Sequence, residues 1–178
     1  MIVAVYGETD KRAVIYTLMK LFQKLGDTCL VSNDRHYKRL LPDGENMGHY
    51  QNVFIAVSDA MPDEIFAEMG YDDADFENMI FDNTIPPNTD VIIFVEGCEV
   101  SPLETETLEY LDSYETIGFG FGKNMIPYTV DIFKKIETIE GKKFLCEVDK
   151  RLTKKVAEIL SKPLNMPVQA ICKVVSKR

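Results

Sequence analysis

The residues best placed for chemistry stand in one row, Gly7-Glu8-Thr9-Asp10-Lys11-Arg12, directly after the apolar run Ile2–Tyr6. A turn between a strand and a helix start faces any ligand, because free amides and the positive end of the helix dipole collect there; the chemistry they offer is anion binding. The same six residues also have a purely structural reading. Asp10 followed by Lys-Arg-Ala is a good helix N-cap, its carboxylate satisfying first-turn amides. On that reading Lys11 and Arg12 are exposed residues of the first turn.

Other constellations offer less. Gly118-Phe-Gly-Phe-Gly-Lys123 looks like a glycine-rich phosphate loop, but it is one residue short of G-x-x-x-x-G-K and lacks the Ser/Thr. It reads better as a strand end entering a loop, with Phe119 and Phe121 on one face in core or interface. Asp72-Asp-Ala-Asp75-Phe-Glu77 mimics the opening of a calcium loop without its sixth-position glycine or twelfth-position glutamate, and reads as a solvated acidic loop. His36 and His49 have no metal-ligand spacing, so no metal site is expected. No Ser/His/Asp or Cys/His arrangement emerges, and no catalytic residue is assigned. Cys29, Cys98, Cys146 and Cys172 form no C-x-x-C pair and read as reduced thiols, three in strand-like runs and Cys98 after one.

The elements that position the turn alternate along the chain. Strands are expected at Ile2–Tyr6, Thr28–Ser32, Val53–Val57, Val91–Val95, Thr116–Phe121, Lys143–Val148 and Val168–Val175. Between them, Val14, Leu18, Leu21 and Leu25 mark one face of a helix over Lys11–Leu25, closed by Gly26 in a left-handed C′ position. Further helices are expected at Pro102–Tyr114, Pro127–Ile139 and Leu152–Leu160, with one or two short acidic helices over Asp63–Asp82 broken near Gly70. Val91–Val95 is the most apolar run, as suits a central parallel strand. The pattern predicts a single α/β domain over 1–178: a doubly wound, mostly parallel six- or seven-stranded sheet with helices on both faces.

Composition narrows the partners. The net charge of −9 is segregated: residues 40–122 hold 19 acidic residues and no lysine or arginine, while 123–178 hold 13 bases against 6 acids. The overall sign argues against nucleic acid, and the acidic block suits either solvation or a basic protein partner. No apolar run reaches the roughly 20 residues of a membrane span, and the chain opens with no leader pattern, so a cytoplasmic protein without direct membrane insertion is expected.

With Lys11 set on a phosphate-loop lysine, Gly7 falls on the leading loop glycine and Gly26 at the usual end of the first helix. Asp90-Val-Ile-Ile-Phe-Val-Glu-Gly97, Lys142-Lys-Phe-Leu-Cys-Glu-Val-Asp-Lys-Arg151 and Leu164-Asn-Met-Pro-Val-Gln-Ala-Ile171 then follow in register. On these segments the chain resembles the ParA/MinD group of P-loop ATPases, including the pilus-assembly relatives CpaE and TadZ, whose first strand is followed by K-G-G-x-G-K-[ST]. The resemblance implies a P-loop NTPase-like fold and makes Gly7, Thr9, Lys11 and Arg12 the cofactor-binding positions of a degenerate loop. Glu8 and Asp10 replace two loop glycines, Arg12 stands at the magnesium-ligating Ser/Thr, and Tyr6 at the signature lysine. The Walker B position falls on Phe94 or Val95, with Glu96 the nearest acid. The aspartate closing the second strand is Asn33 or Asp34, and no N-R pair stands near Cys146 and Glu147.

These departures remove the phosphate cradle, the metal ligand and the charge stabilisation of phosphoryl transfer. The expectation is a catalytically inactive ATPase-like adaptor or positioning protein of a multiprotein machine, without cofactor. The resemblance implies pilus assembly or secretion as the setting, protein partners, and a homodimer through the nucleotide face. The alternatives are a divergent switch that still binds ATP or GTP through Lys11 and Gly7, and a small-molecule-binding α/β domain using the crevice at the strand ends.

Overall fold

The computed structural model describes residues 1–58, 64, 67, 70, 75–144 and 147–177. Seven strands form one sheet: β1 Ile2–Tyr6, β2 Thr28–Ser32, β3 Met47–Tyr50, β4 Val53–Val57, β5 Asn78–Asp82, β6 Val91–Glu96 and β7 Glu115–Gly118. Their order is β3-β4-β2-β5-β1-β6-β7. Every neighbouring pair is parallel except β3 with β4, which run antiparallel at one edge. Five helices accompany them among the described residues: α1 Arg12–Phe22, α2 Pro102–Glu109, α3 Val130–Glu140, α4 Lys150–Leu160 and α5 Val168–Ser176, with a 3-10 turn at Arg35–Leu40.

Period-two alternation sorts the strand side chains onto two faces. Val3, Val5, Leu30, Ile55, Ile80, Ile93 and Val95 join the larger core with α1, α3, α4 and α5, while Cys29, Val31, Phe54, Ala56, Met79 and Phe81 form a second cluster behind the sheet. The Tyr6 hydroxyl meets Thr107 of α2 at 3.0 Å, so α2 lies on that second side. The sheet therefore carries helices on both faces. From Ala13 to Phe22 every residue of α1 is buried, because α3, α4 and α5 surround it.

Several expectations change. Asn78–Asp82 is not the end of an acidic helix but the central strand β5, hydrogen-bonded between β2 and β1. Its three apolar residues are enough because the two clusters on either side of the sheet bury both faces, Ile80 in one and Met79 and Phe81 in the other. Most of the earlier part of Asp63–Asp82, with Asp72 and Asp73, lies outside the described residues. Val168–Val175 is helical: Ile171 and Val175, four apart, are its buried residues, so helical periodicity prevails over β-branched content. Lys143, Phe144, Glu147 and Val148 form no strand, and Leu145 and Cys146 lie outside the described residues. Gly26 is not left-handed, and the exposed Glu77 carboxylate lies over the place of its missing Cβ. Cys172 sits on α5 rather than a strand, and Cys98 is exposed. Phe119 is buried whereas Phe121 is fully exposed, so the two do not share a face.

Candidate functional site

The turn Gly7–Lys11 leaves the carboxyl end of β1, between β5 and β6, where the chain has finished one half of the sheet and begins the other. Such a reversal of strand order opens the crevice in which α/β sheets bind ligands. The turn that the sequence singles out stands at this reversal of strand order, and its contents differ from expectation.

Lys11 is 8% exposed, not a solvated first-turn residue. Its Nζ donates to the Gly7 carbonyl at 2.5 Å and lies 3.4 Å from Asp82 Oδ1. Asp82 ends β5 and is 1% exposed. Its Oδ2 accepts from Ser32 Oγ at 2.8 Å, and the Asp34 amide donates to Ser32 Oγ at 2.9 Å. Burial lifts the Asp82 carboxyl above its ordinary range against the opposing pull of Lys11 and Ser32. Among the described residues Oδ1 accepts no hydrogen bond, and it lies 3.4 Å from the Lys11 ammonium.

The acid facing the loop lysine is thus Asp82, not Glu96 or the Phe94–Val95 position. Phe94 and Val95 are buried apolar residues of β6. The available signal was an aspartate ending a short apolar run, Met79-Ile-Phe-Asp82, before the turn-forming Pro86-Pro87. At the end of β2, Asp34 accepts from the His36 amide at 2.9 Å and serves as the cap of the 3-10 turn.

Arg12 is held just as closely. Its guanidinium grips Asp10 through Nε at 3.0 Å and Nη2 at 2.7 Å, and reaches Glu140 Oε1 at 2.9 Å. Glu140, at the end of α3, also accepts from the Tyr16 hydroxyl at 3.0 Å and from Arg39 at 3.2 Å. Burial would raise the Asp10 carboxyl, but the hydrogen bonds and charge of Arg12 outweigh it and hold it low. Asp10 also accepts the Arg12 amide at 3.1 Å, so part of the capping role expected of it is present, although Lys11 is the N-cap residue.

The loop's first turn is closed from the other side by Glu104, which sequence reasoning missed. Ser101 and Glu104 form a capping box at the start of α2. The Glu104 Oε1 that remains accepts the Glu8 amide at 2.7 Å. A carboxylate therefore takes an amide that an anion-binding loop would offer its ligand. Gly7, with φ 136°, packs so tightly that a Cβ would overlap the Val95 carbonyl oxygen, and a Cβ on Gly97 would overlap the Thr9 hydroxyl.

Gly7, Thr9, Lys11 and Arg12 lie together in this turn, and the Gly7 carbonyl, the Lys11 ammonium and the Arg12 guanidinium are engaged by protein atoms. A magnesium triphosphate does not fit this set as it stands: the Lys11 ammonium and the Glu8 and Arg12 amides are bonded within the protein, two carboxylates line the turn, and a guanidinium held by two acids stands at the position that the resemblance gives to a metal ligand. Among the described residues, no group of three His, Cys, Asp or Glu side chains is arranged to hold a metal ion. No helix among them is long and apolar enough to cross a membrane.

No protein-family model matches the chain. No curated protein matches it. Among solved structures, the MinD cell division protein of Aquifex aeolicus superposes with a TM-score of 0.47 at 12% identity, over 98% of this chain and 94% of that one. The likeness lies in the arrangement of strands and helices and carries no function across.

Proposed function

We propose that residues 1–178 form one P-loop NTPase-like unit that works as a non-hydrolysing adaptor or positioning protein in the cytoplasm. The observation that carries this reading is the self-closure of the loop: Lys11 on Gly7 and Asp82, the Glu8 amide on Glu104, and Arg12 between Asp10 and Glu140. Admitting a nucleotide would mean breaking charged hydrogen bonds worth about 1.5–3 kcal/mol each. Exposed apolar side chains support a docking role. Val100, Leu103, Tyr110, Tyr114, Phe121, Val130 and Phe133 are large apolar side chains left exposed. Apolar groups left on a surface are a means of contact with another protein where they lie together. A second copy would account for that surface as the homodimer implied by resemblance. The pilus or secretion setting rests on the resemblance alone.

One observation favours the second reading, a divergent ATP or GTP switch. Asp82 Oδ1 is buried without a hydrogen bond and stands beside the loop lysine, a pair that a ligand with its own cation would reorganise. Thermal melting with ATP or GTP, with and without Mg²⁺, separates the two. A site filled at about 100 times its Kd adds about 2.7 kcal/mol. The adaptor predicts no shift with any nucleotide; a shift abolished by Lys11→Ala establishes the switch instead.

A further inference from the structure

Among the described residues, β7 is the outermost strand on its side of the sheet and pairs only with β6. The Phe119 amide donates to the Glu96 carbonyl at 2.8 Å, while the Gly118 carbonyl accepts from Ile126 at 2.8 Å on the other side. Alternation along the strand therefore turns the N–H and C=O of Thr116 and the N–H of Gly118 to the open edge. Ile126 makes a single parallel bridge with Phe119, so one residue already stands where an eighth strand would run.

Two adjoining grooves lie between the sheet and α4: one of about 550 Å³ under the starts of β6 and β7, and one of about 470 Å³ beside the end of β7. They share Lys155 and Glu158. Their walls include buried Ile117 of β7 and Ile159 of α4, and the cations Lys123, Arg151, Lys154, Lys155 and Lys162. The carboxylates of Asp90, Glu115 and Glu158 also line them; Asp90 accepts the Ile2 amide at 2.7 Å, and Glu158 is paired with Lys154 at 3.7 Å.

We propose that this edge receives an extended acidic peptide of a partner protein as an eighth strand, in parallel or antiparallel register. Three features converge on that occupant. The free backbone groups of β7 call for another backbone, the cations of α4 call for carboxylates, and the apolar wall calls for aliphatic contact. A strand's side chains alternate between faces, so acidic residues at every second position meet α4. The residues between them turn to the other face, away from the cations of α4, and are apolar. Inorganic phosphate or a nucleic acid offers no strand backbone, and Glu115 and Glu158 oppose a dense polyanion. The surface lies on the edge of the sheet and does not depend on the loop at Gly7–Arg12.

The test uses a dye-labelled octapeptide alternating glutamate with valine, titrated by fluorescence anisotropy at about 50 mM salt. Binding is expected to saturate and to weaken at least about tenfold in Lys154→Glu/Lys155→Glu. Should that variant melt early, Lys154→Gln/Lys155→Gln gives the same comparison with less repulsion. Methylating the backbone nitrogens of one alternate set of peptide residues is expected to abolish binding, and methylating the other set to leave it, because only one set faces β7. Equal binding of both methylated peptides reduces the effect to charge attraction and overturns the proposal. So does the absence of binding. A dimer seen by light scattering without peptide, and dissolved by the Lys154/Lys155 variant, assigns the edge to a second copy and also overturns it.

Discussion

The Lys11 ammonium lies 3.4 Å from Asp82 Oδ1, so the lysine of the loop after β1 is paired with the acid that ends the neighbouring strand β5. Both side chains are buried, and the same lysine donates back to the Gly7 carbonyl. A group that in an open loop would face a ligand here fastens the loop to the sheet.

The first prediction follows from that burial. Lys11→Met leaves the Asp82 carboxylate without its counter-charge and costs about 3–5 kcal/mol, measured by urea unfolding. Lys11→Met combined with Asp82→Asn removes both charges and costs less than the sum of the two single changes.

The second concerns pH. The folded Asp82 carboxyl is raised from its ordinary 3.8 by burial, so the folded protein keeps this proton to higher pH than the unfolded chain. Its contribution to stability is complete below 3.8 and is lost as pH rises through the folded value. Asp82→Asn lacks this decline, which appears as a difference between unfolding free energies of the two proteins measured from acid to neutral pH. Asp10 has the opposite sign: its contribution is present above 3.8 and is lost as pH falls through its lowered folded value.

The third rests on Gly7. With φ 136° and the Val95 carbonyl against the place of a Cβ, Gly7→Ala combines strain with overlap against backbone that cannot swing away. A loss of at least about 2 kcal/mol is expected in urea unfolding.

The fourth separates docking from folding. Leu103 and Phe121 are exposed, so Leu103→Ser and Phe121→Ser change stability by no more than about 0.5 kcal/mol. If these side chains bind a second copy, the same changes lower self-association in light scattering at unchanged melting temperature. Unaltered association would remove these residues from any interface.

Where an element's signal is local, the sequence reveals it. The runs at Ile2–Tyr6, Thr28–Ser32, Val53–Val57 and Val91–Val95 are rich in apolar residues because both faces of the sheet are covered, and they appear as strands with almost the expected bounds. β5 escapes because Met79-Ile-Phe81 is short and follows the acidic stretch ending at Glu77, which reads as part of a helix. α5 is misread because valine and isoleucine favour strands, although the spacing of Ile171 and Val175 is helical. The missing β5 explains the misplaced acid. Which carboxylate faces Lys11 depends on which strand lies beside β1, and that is a property of the sheet order, not of neighbouring residues. The roles of Glu104 and Glu140 are hidden for the same reason: they reach the loop from α2 and α3, 96 and 128 residues from their loop partners Glu8 and Arg12.

The central claim, that the turn after β1 is closed by its own carboxylates, is tested most directly by ¹H–¹⁵N NMR of the backbone amides of residues 7–12 during titration with Mg–ATP. The closed loop predicts that the Glu8 amide, bonded to Glu104, and its neighbours keep their chemical shifts through millimolar nucleotide. Saturable shifts confined to this turn and lost in Lys11→Ala would contradict it.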